Sequence, residues 1–250
     1  SSSLTQPQTK LLILRPISMQ SLRQRRLHNL ENFDVLVIGS GSGMIVASNA
    51  VANGLKTALV ESGPMGGTCL NRGCIPSKML IYPAAVIATI KEAQELGITA
   101  VISWVDFKQI MKRMRELVKE DSGNQDRGVE TTPEIKWFKD VGWFVSDYTM
   151  EVGGFEIKAE KIFIVSGARP GIPTIKGIKN VSYLTSDTVL ELDAQPKRML
   201  IIGGGYIAAE YGHFFSAMGT EVTIVQRNPR FLPAEELESS ELLKEEMAKR

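Results

Sequence analysis

Cysteine and histidine are the scarce residues here, with two of each in 250. Two cysteines cannot build the disulfide framework of a small secreted domain. Two thiols and two scattered histidines, His28 and His213, do not make a zinc ligand set, so no metal is expected. A dominant charge sign is missing too, since 29 basic residues face 28 acidic ones. Residues 1 to 30 hold five of the bases (Lys10, Arg15, Arg23, Arg25 and Arg26) and no acid, leaving 24 against 28, or −4, for the rest. That balance argues against nucleic acid as a partner. No apolar run approaches the roughly 18 residues of a membrane span, and no membrane partner is expected. What remains is an ordinary globular composition, 43% hydrophobic and 23% charged, in a length that suits one large or two ordinary domains.

The two cysteines sit together, in Gly66-Gly67-Thr68-Cys69-Leu70-Asn71-Arg72-Gly73-Cys74-Ile75-Pro76-Ser77-Lys78. The residues alone allow a disulfide that opens and closes, or two buried free thiols. If the cysteines are joined, the backbone between them is not regular helix. Positions five apart on a helix have Cα atoms about 8 to 9 Å apart, beyond the roughly 7 Å limit for a bridge. Gly73 is the residue able to take the irregular backbone. Pro76 fits the first turn of a following helix. Cys74 then lies just before that turn, where the helix dipole favours a thiolate, with Lys78 four residues on.

Two stretches share a second pattern. Residues 33 to 38 read as a buried strand running into Gly39-Ser40-Gly41-Ser42-Gly43-Met44, then a helix, then a strand ending in Glu61, 22 residues after Gly39. Strand, glycine turn, helix and acid together are a dinucleotide-binding fingerprint. Gly39 allows the tight turn, Gly41 lets backbone approach a pyrophosphate, and Glu61 can accept hydrogen bonds from ribose hydroxyls. One departure stands out: the third glycine is expected at Met44, and Gly43 is the neighbour that could take its place. The unit recurs 164 residues later as a strand over 198 to 202, Gly203-Gly204-Gly205-Tyr206-Ile207-Ala208, and a strand over 221 to 225. The position of Glu61 is here taken by Gln226, followed by Arg227. An acid would select NAD, and an arginine can pair with the 2′-phosphate of NADP, so either nucleotide is open.

Between these units, residues 79 to 94 read as a helix that Pro83 should kink or break. Residues 104 to 119 read as a helix with an apolar face of Phe107, Ile110, Met111, Met114, Leu117 and Val118. Its solvated side carries Lys112, Arg113, Arg115, Glu116, Lys119 and Glu120. Residues 121 to 134 read as a polar connection with room for more helix. Residues 135 to 165 read as strands separated at Asp140, Gly142, Asp147-Tyr148, Gly153-Gly154 and 158 to 161. The last strand ends at Ser166-Gly167-Ala168, at the sheet edge where ligands collect.

GGTCLNRGCIPSK resembles the redox-active disulfide segment of the class I pyridine nucleotide-disulfide oxidoreductases. These are FAD-dependent enzymes such as dihydrolipoamide dehydrogenase, glutathione reductase and mercuric reductase. The likeness runs from about Phe33 to the last residue. It implies an α/β fold: a doubly wound, Rossmann-like FAD-binding domain over 33–170 carrying the disulfide, a connection over 171–196, and over 197–250 the first part of a Rossmann-like NAD(P)-binding domain. It implies FAD held by Gly39, Gly41, Gly43, Glu61, Gly66, Gly67, Thr68, Lys78 and Ser166-Gly167-Ala168. NAD(H) or NADP(H) would lie at Gly203, Gly205, Tyr206, Ala208, Gln226 and Arg227. The catalytic set would be Cys69, Cys74, Lys78 and Glu210, with Cys74 beside the flavin, Cys69 exchanging with substrate, and Glu210 paired with Lys78.

The expected activity passes electrons between NAD(P)H, FAD and the Cys69/Cys74 pair, with dihydrolipoamide dehydrogenase first. Mercuric reductase or a low-molecular-weight disulfide reductase is the alternative. The expected substrate is a small-molecule or lipoyl-type disulfide or dithiol, and the complete protein is expected to be a homodimer. The family's histidine–glutamate base has no counterpart here, so the chain reads as the front part of a longer protein or a truncated product. A non-catalytic FAD-binding module is the reading from another class. Residues 1–32 read as an extension. The Arg- and Ser-rich character of its first 30 residues, which hold no acid, sets the mitochondrial matrix as the alternative to a cytoplasmic location.

Overall fold

A computed structural model describes residues 30 to 249 of the chain. The targeting reading falls almost wholly on residues outside that range. Strand β1 (Leu30–Ile38) begins three residues ahead of the expected start at Phe33. Val35, Leu36 and Val37 are all buried, so β1 is covered on both faces, as a central parallel strand must be. Helix α1 (Gly43–Ala52) leads to β2 (Thr57–Val60), which pairs with β1 in parallel from Val35↔Thr57 to Ile38↔Val60.

Two helices meet end to end after β2: α2 (Gly67–Arg72) and α3 (Cys74–Glu92), with Gly73 between them. A 3-10 turn, Ala93–Leu96, follows, and then the long α4 (Phe107–Glu130). Strand β3 (Ile135–Phe138) joins the far side of β2 in parallel. The meander β4 (Gly142–Ser146), β5 (Thr149–Val152) and β6 (Phe155–Ile164) returns the chain to the other side of β1. The sheet order is β3-β2-β1-β6-β5-β4, parallel across β3-β2-β1-β6 and antiparallel at β5 and β4. Because β1 has β2 on one side and β6 on the other, the topology switches direction at its carboxyl end, where open α/β sheets bind ligands.

Five local readings are corrected. Helix α3 runs unbroken through Pro83, because Leu80, Ala84 and Ile87 are buried around it and packing outweighs the lost backbone bond. Helix α4 starts at Phe107 rather than Trp104; the Asp106 carboxylate caps it, accepting from the Gln109 N–H at 2.9 Å. The helix then continues through residues 121 to 130, whose polar side chains looked like a connection. Two of them face a backbone: Ser122 Oγ donates to the Met65 carbonyl at 2.8 Å, and the Asp126 carboxylate accepts from the Met65 N–H at 3.2 Å. Residues 158 to 161 are not a boundary but the middle of β6, whose first half pairs with β5 and whose length pairs with β1. Finally, Arg115 is not solvated: it donates to the carbonyls of Leu190 and Leu192 at 3.1 and 3.2 Å and pairs with Asp193 at 2.6 Å.

The second unit comprises β7 (Arg198–Ile202), α5 (Tyr206–Met218), β8 (Glu221–Val225) and α6 (Leu237–Lys249). It does not hang free. Phe214, Phe215 and Tyr211 of α5 share one apolar cluster with Leu80 of α3, Phe107 and Met111 of α4, and Val189 and Leu190 from the connection. The stretch Gly67–Leu96 is long and apolar enough to cross a membrane by length and composition, yet Gly73 interrupts it and Leu80, Ala84 and Ile87 are buried in this cluster.

Because the two units share a core, Phe214→Ala is expected to cost about 3 to 5 kcal/mol and to destabilise both together. Urea unfolding followed by far-UV circular dichroism and by tryptophan fluorescence should shift coincidently; separate transitions would show independent units.

Candidate active site

The first glycine turn leaves β1 at the switch point and is packed too tightly for side chains. Gly39, at φ +105°, donates its N–H to the Val60 carbonyl at 2.9 Å. A Cβ on it would stand 2.9 Å from Ser166 Cα, so this turn and Ser166-Gly167-Ala168 lie against each other. Gly43 is the glycine on which α1 closes onto the sheet: a Cβ there would come within 2.8 Å of Val37 and Val165 side chains. This explains the missing glycine at Met44, since the close approach is made one residue earlier.

A second loop meets the first. Gly67 has φ +59°, and a Cβ on it would sit 2.5 Å from Gly41 Cα. Two backbones thus touch at Gly41 and Gly67, presenting peptide groups where side chains are excluded. The loop is fixed from three sides. Met65 is fully buried and held by Ser122 and Asp126, while the Asn71 amide donates to the carbonyls of Met65 at 2.8 Å and Gly67 at 3.0 Å. Beside the turn, the Glu61 carboxylate accepts from Ser40 N–H at 3.0 Å, Ser40 Oγ at 2.9 Å and Gly63 N–H at 2.8 Å. A carboxylate has about four acceptor positions, so one stays open for a hydroxyl.

Cys69 lies in α2 and Cys74 opens α3; both are exposed free thiols. The break at Gly73 brings them together. A Cβ on Gly73 would stand 2.9 Å from the Thr68 carbonyl oxygen, so only glycine lets the two helix ends approach this closely. The Cys69 thiol is held above its ordinary pKa, first by its hydrogen bond with the Cys74 side chain, then by burial, then by charge on Cys74. Thr68, which precedes the pair, is exposed. One turn into α3, Lys78 forms an ion pair with Glu210 of α5. At the end of α2, Arg72 pairs with Asp187 of the connection at 3.2 Å. The Tyr211 phenol, next to Glu210, is pushed up to about 12 by burial, with Glu210 and Asp187 adding to the shift.

The second glycine turn repeats the first. Gly203, at φ +116°, donates to the Val225 carbonyl at 2.8 Å, as Gly39 does to Val60. Gly205 caps α5, Tyr206 at its first position is exposed, and Ala208 is buried against the strands. Gln226 packs on Gly204 but turns its amide into its own loop, donating to the Asn228 carbonyl at 2.8 Å and to that of Arg230. Arg227 beside it is exposed. His213 lies on α5, partly buried.

Residues 33–250 match the family described as pyridine nucleotide-disulphide oxidoreductase. The chain belongs to that family. Among curated relatives, it is 35% identical to mercuric reductase of Lysinibacillus sphaericus over 89% of this chain and 41% of that protein. It is 36% identical to mycothione reductase of Mycobacterium tuberculosis over 79% of this chain and 44% of that protein. It is 35% identical to dihydrolipoyl dehydrogenase of Chlamydia pneumoniae over 88% of this chain and 48% of that protein. The chain therefore spans less than half the length of each. Among solved structures, the HOCl-induced flavoprotein disulfide reductase RclA from Escherichia coli matches with a TM-score of 0.75 and 29% identity, over 86% of this chain and 47% of that one. The mixed α/β fold with its parallel core is that of the FAD-binding, Rossmann-like domain of disulfide reductases.

Family and flavoprotein neighbour support FAD as the cofactor, and the residues fit it. The touching backbones at Gly41 and Gly67 leave the bare peptide surface a pyrophosphate needs, and Glu61 keeps an acceptor for ribose. The structure adds Ser40, Met65, Asn71, Arg72, Ser122, Asp126 and Asp187 to the site residues read from the sequence. Of these, Ser40 carried a signal in its place inside the first glycine turn, and Asn71 and Arg72 in theirs between the cysteines.

Gly67→Ala forces a side chain into a left-handed backbone and against Gly41. It should lower FAD retention at least ten-fold, measured by flavin fluorescence after gel filtration, and cost about 1 to 3 kcal/mol of stability. A second outcome follows from the raised Cys69 pKa: in reduced protein, iodoacetamide should modify Cys69 appreciably only at pH above the ordinary thiol range. Cys74→Ala removes the largest cause, so the onset should move to lower pH, read by mass spectrometry of the modified peptide.

Proposed function

We propose that the protein to which this chain belongs is an FAD-dependent oxidoreductase that passes electrons between NAD(P)H and a disulfide or dithiol substrate through Cys69 and Cys74. The observation that carries this reading is the contact of the two thiols across the Gly73 break, with Lys78 and Glu210 one turn away. FAD, when bound, supplies the change from two-electron hydride chemistry to thiol–disulfide exchange. Overall, NAD(P)H, a proton and a disulfide give NAD(P)+ and two thiols, and the reverse oxidises a dithiol.

The residues divide the work by position. Cys69, on α2, attacks the substrate disulfide and releases one substrate thiol. Cys74 then attacks Cys69, re-forming the internal disulfide and releasing the second thiol. The Cys69 proton must leave first, and its raised pKa makes a base necessary. Lys78, oriented by Glu210, sets positive charge beside the pair. Gly203, Gly205, Tyr206 and Ala208 would hold the nicotinamide dinucleotide in the second unit.

As substrate we propose a lipoyl-type dithiol, as for dihydrolipoamide dehydrogenase, although the mercuric, mycothione and dihydrolipoyl relatives match alike at 35 to 36% identity. A second reading, mercuric or low-molecular-weight disulfide reduction with NADPH, draws support from neutral Gln226 and exposed Arg227, which offer no charge against a 2′-phosphate. For the whole protein we propose a homodimer, and for its location the cytoplasm.

The test is an anaerobic titration of the FAD-loaded, full-length protein with NADH and NADPH separately, followed by thiol counting. One equivalent of the right nucleotide should expose two new thiols, and Cys69→Ser or Cys74→Ser should abolish both. Turnover of lipoamide, mycothione or Hg(II) then ranks the substrates. Flavin reduction without new thiols or turnover would leave a cofactor-binding module and sink the proposal.

A further inference from the structure

We propose that Arg72 and Asp187 are a positioning pair for the thiol–disulfide couple, fixing the helix that carries Cys69 against the helix that carries Cys74. The inference rests on the reading of these cysteines as a redox disulfide. Helix α2 is six residues long and ends on Arg72, one residue before the Gly73 break. Its fifth residue, Asn71, ties it to the loop below through the Met65 and Gly67 carbonyls. Its last residue has a different anchor: Arg72 Nη1 reaches the Asp187 carboxylate at 3.2 Å, 115 residues away in sequence.

Helix α3 is anchored separately, through Lys78 to Glu210. The two anchors converge on one platform. Tyr211 follows Glu210 on α5, and its hydroxyl donates to the carbonyl of Ser186, the neighbour of Asp187, at 3.5 Å. Burial with Asp187 and Glu210 nearby keeps that phenol protonated, so it remains a donor to physiological pH and beyond. Each sulfur therefore rides on a helix tied to the same Ser186–Asp187 and Glu210–Tyr211 surface.

Releasing Arg72 from Asp187 removes one of the two ties that hold α2, leaving the Asn71 contacts, while α3 stays fixed. The sulfurs then lose part of their effective concentration for each other, which weakens the disulfide and moves the couple toward the dithiol.

The experiment equilibrates the 250-residue chain with graded mixtures of reduced and oxidised glutathione. In it, protein disulfide and two glutathione thiols exchange with protein dithiol and one glutathione disulfide. Alkylation and mass spectrometry give the midpoint. Asp187→Asn should lower the ratio of squared reduced to oxidised glutathione at the midpoint by about two- to five-fold, the range open to a partly exposed ion pair. Asp187→Glu should restore it. Arg72→Lys, which keeps the charge but loses the planar fork, should give a smaller shift and serves if Asp187→Asn folds poorly. Lys112→Gln, breaking an exposed pair with Glu116 at 3.6 Å on α4, should leave the midpoint in place. Adding Asp187→Asn to Arg72→Gln should change nothing further. An Asp187→Asn midpoint equal to wild type, or an equal shift in the Arg72→Gln background, overturns the pair's role while the disulfide itself stands. A wild-type chain that forms no Cys69–Cys74 disulfide at any ratio overturns the redox reading, and the pair's role with it.

Discussion

The structure depends on one interruption. A continuous helix from Gly67 to Glu92 would hold Cys69 and Cys74 too far apart to bond, and the chain avoids that by stopping at Gly73 and starting again. The stop works because Gly73 has no side chain to collide with the Thr68 carbonyl. A broken helix is weak at its join, since terminal peptide groups lose intrahelical partners. The surroundings compensate: Met65 is clasped by α4, Asn71 returns to the loop it came from, and Leu80, Ala84 and Ile87 sink α3 into the shared core. The helix carrying Pro83 therefore survives as one element, while the short helix before it is held by polar contacts.

A single geometry serves both nucleotide units. Gly39 and Gly203 have nearly the same backbone and donate to equivalent carbonyls, those of Val60 and Val225, at the ends of parallel neighbours. The units differ at the acidic position. Glu61 gathers two donors from Ser40 of the glycine turn and one from Gly63 and keeps an acceptor free, whereas Gln226 spends its amide donors on its own loop.

Features that depend on local sequence were legible. Both strand–glycine–helix units, the apolar face of α4 around Met111 and Met114, and the need for irregular backbone at Gly73 followed from spacing and side-chain type. What escaped depends on contacts made across long sequence separations. Ser122 and Asp126 looked like loop residues because their partner, the Met65 peptide, lies about sixty residues away. Arg115 looked solvated because its partners are carbonyls of the connection. The third glycine of the first turn looked displaced because only packing reveals that Gly43, against Val37 and Val165, makes the contact.

The ion pairs near the thiols are poorly explained by stability. Side chains of Lys78 and Arg72 are 64% and 56% exposed, and such pairs contribute about 0 to 1 kcal/mol. Phe214 and Phe215, fully buried in the shared core, already join the two units far more strongly. If fastening were the only need, the charges would be redundant. Their placement is selective instead: both cations lie within four residues of Cys74, and the acids come from the connection (Asp187) and from the unit that carries the second glycine turn (Glu210). Apolar packing sets how firmly that unit is joined to the first, and the ion pairs tie the two cysteine-bearing helices to one surface.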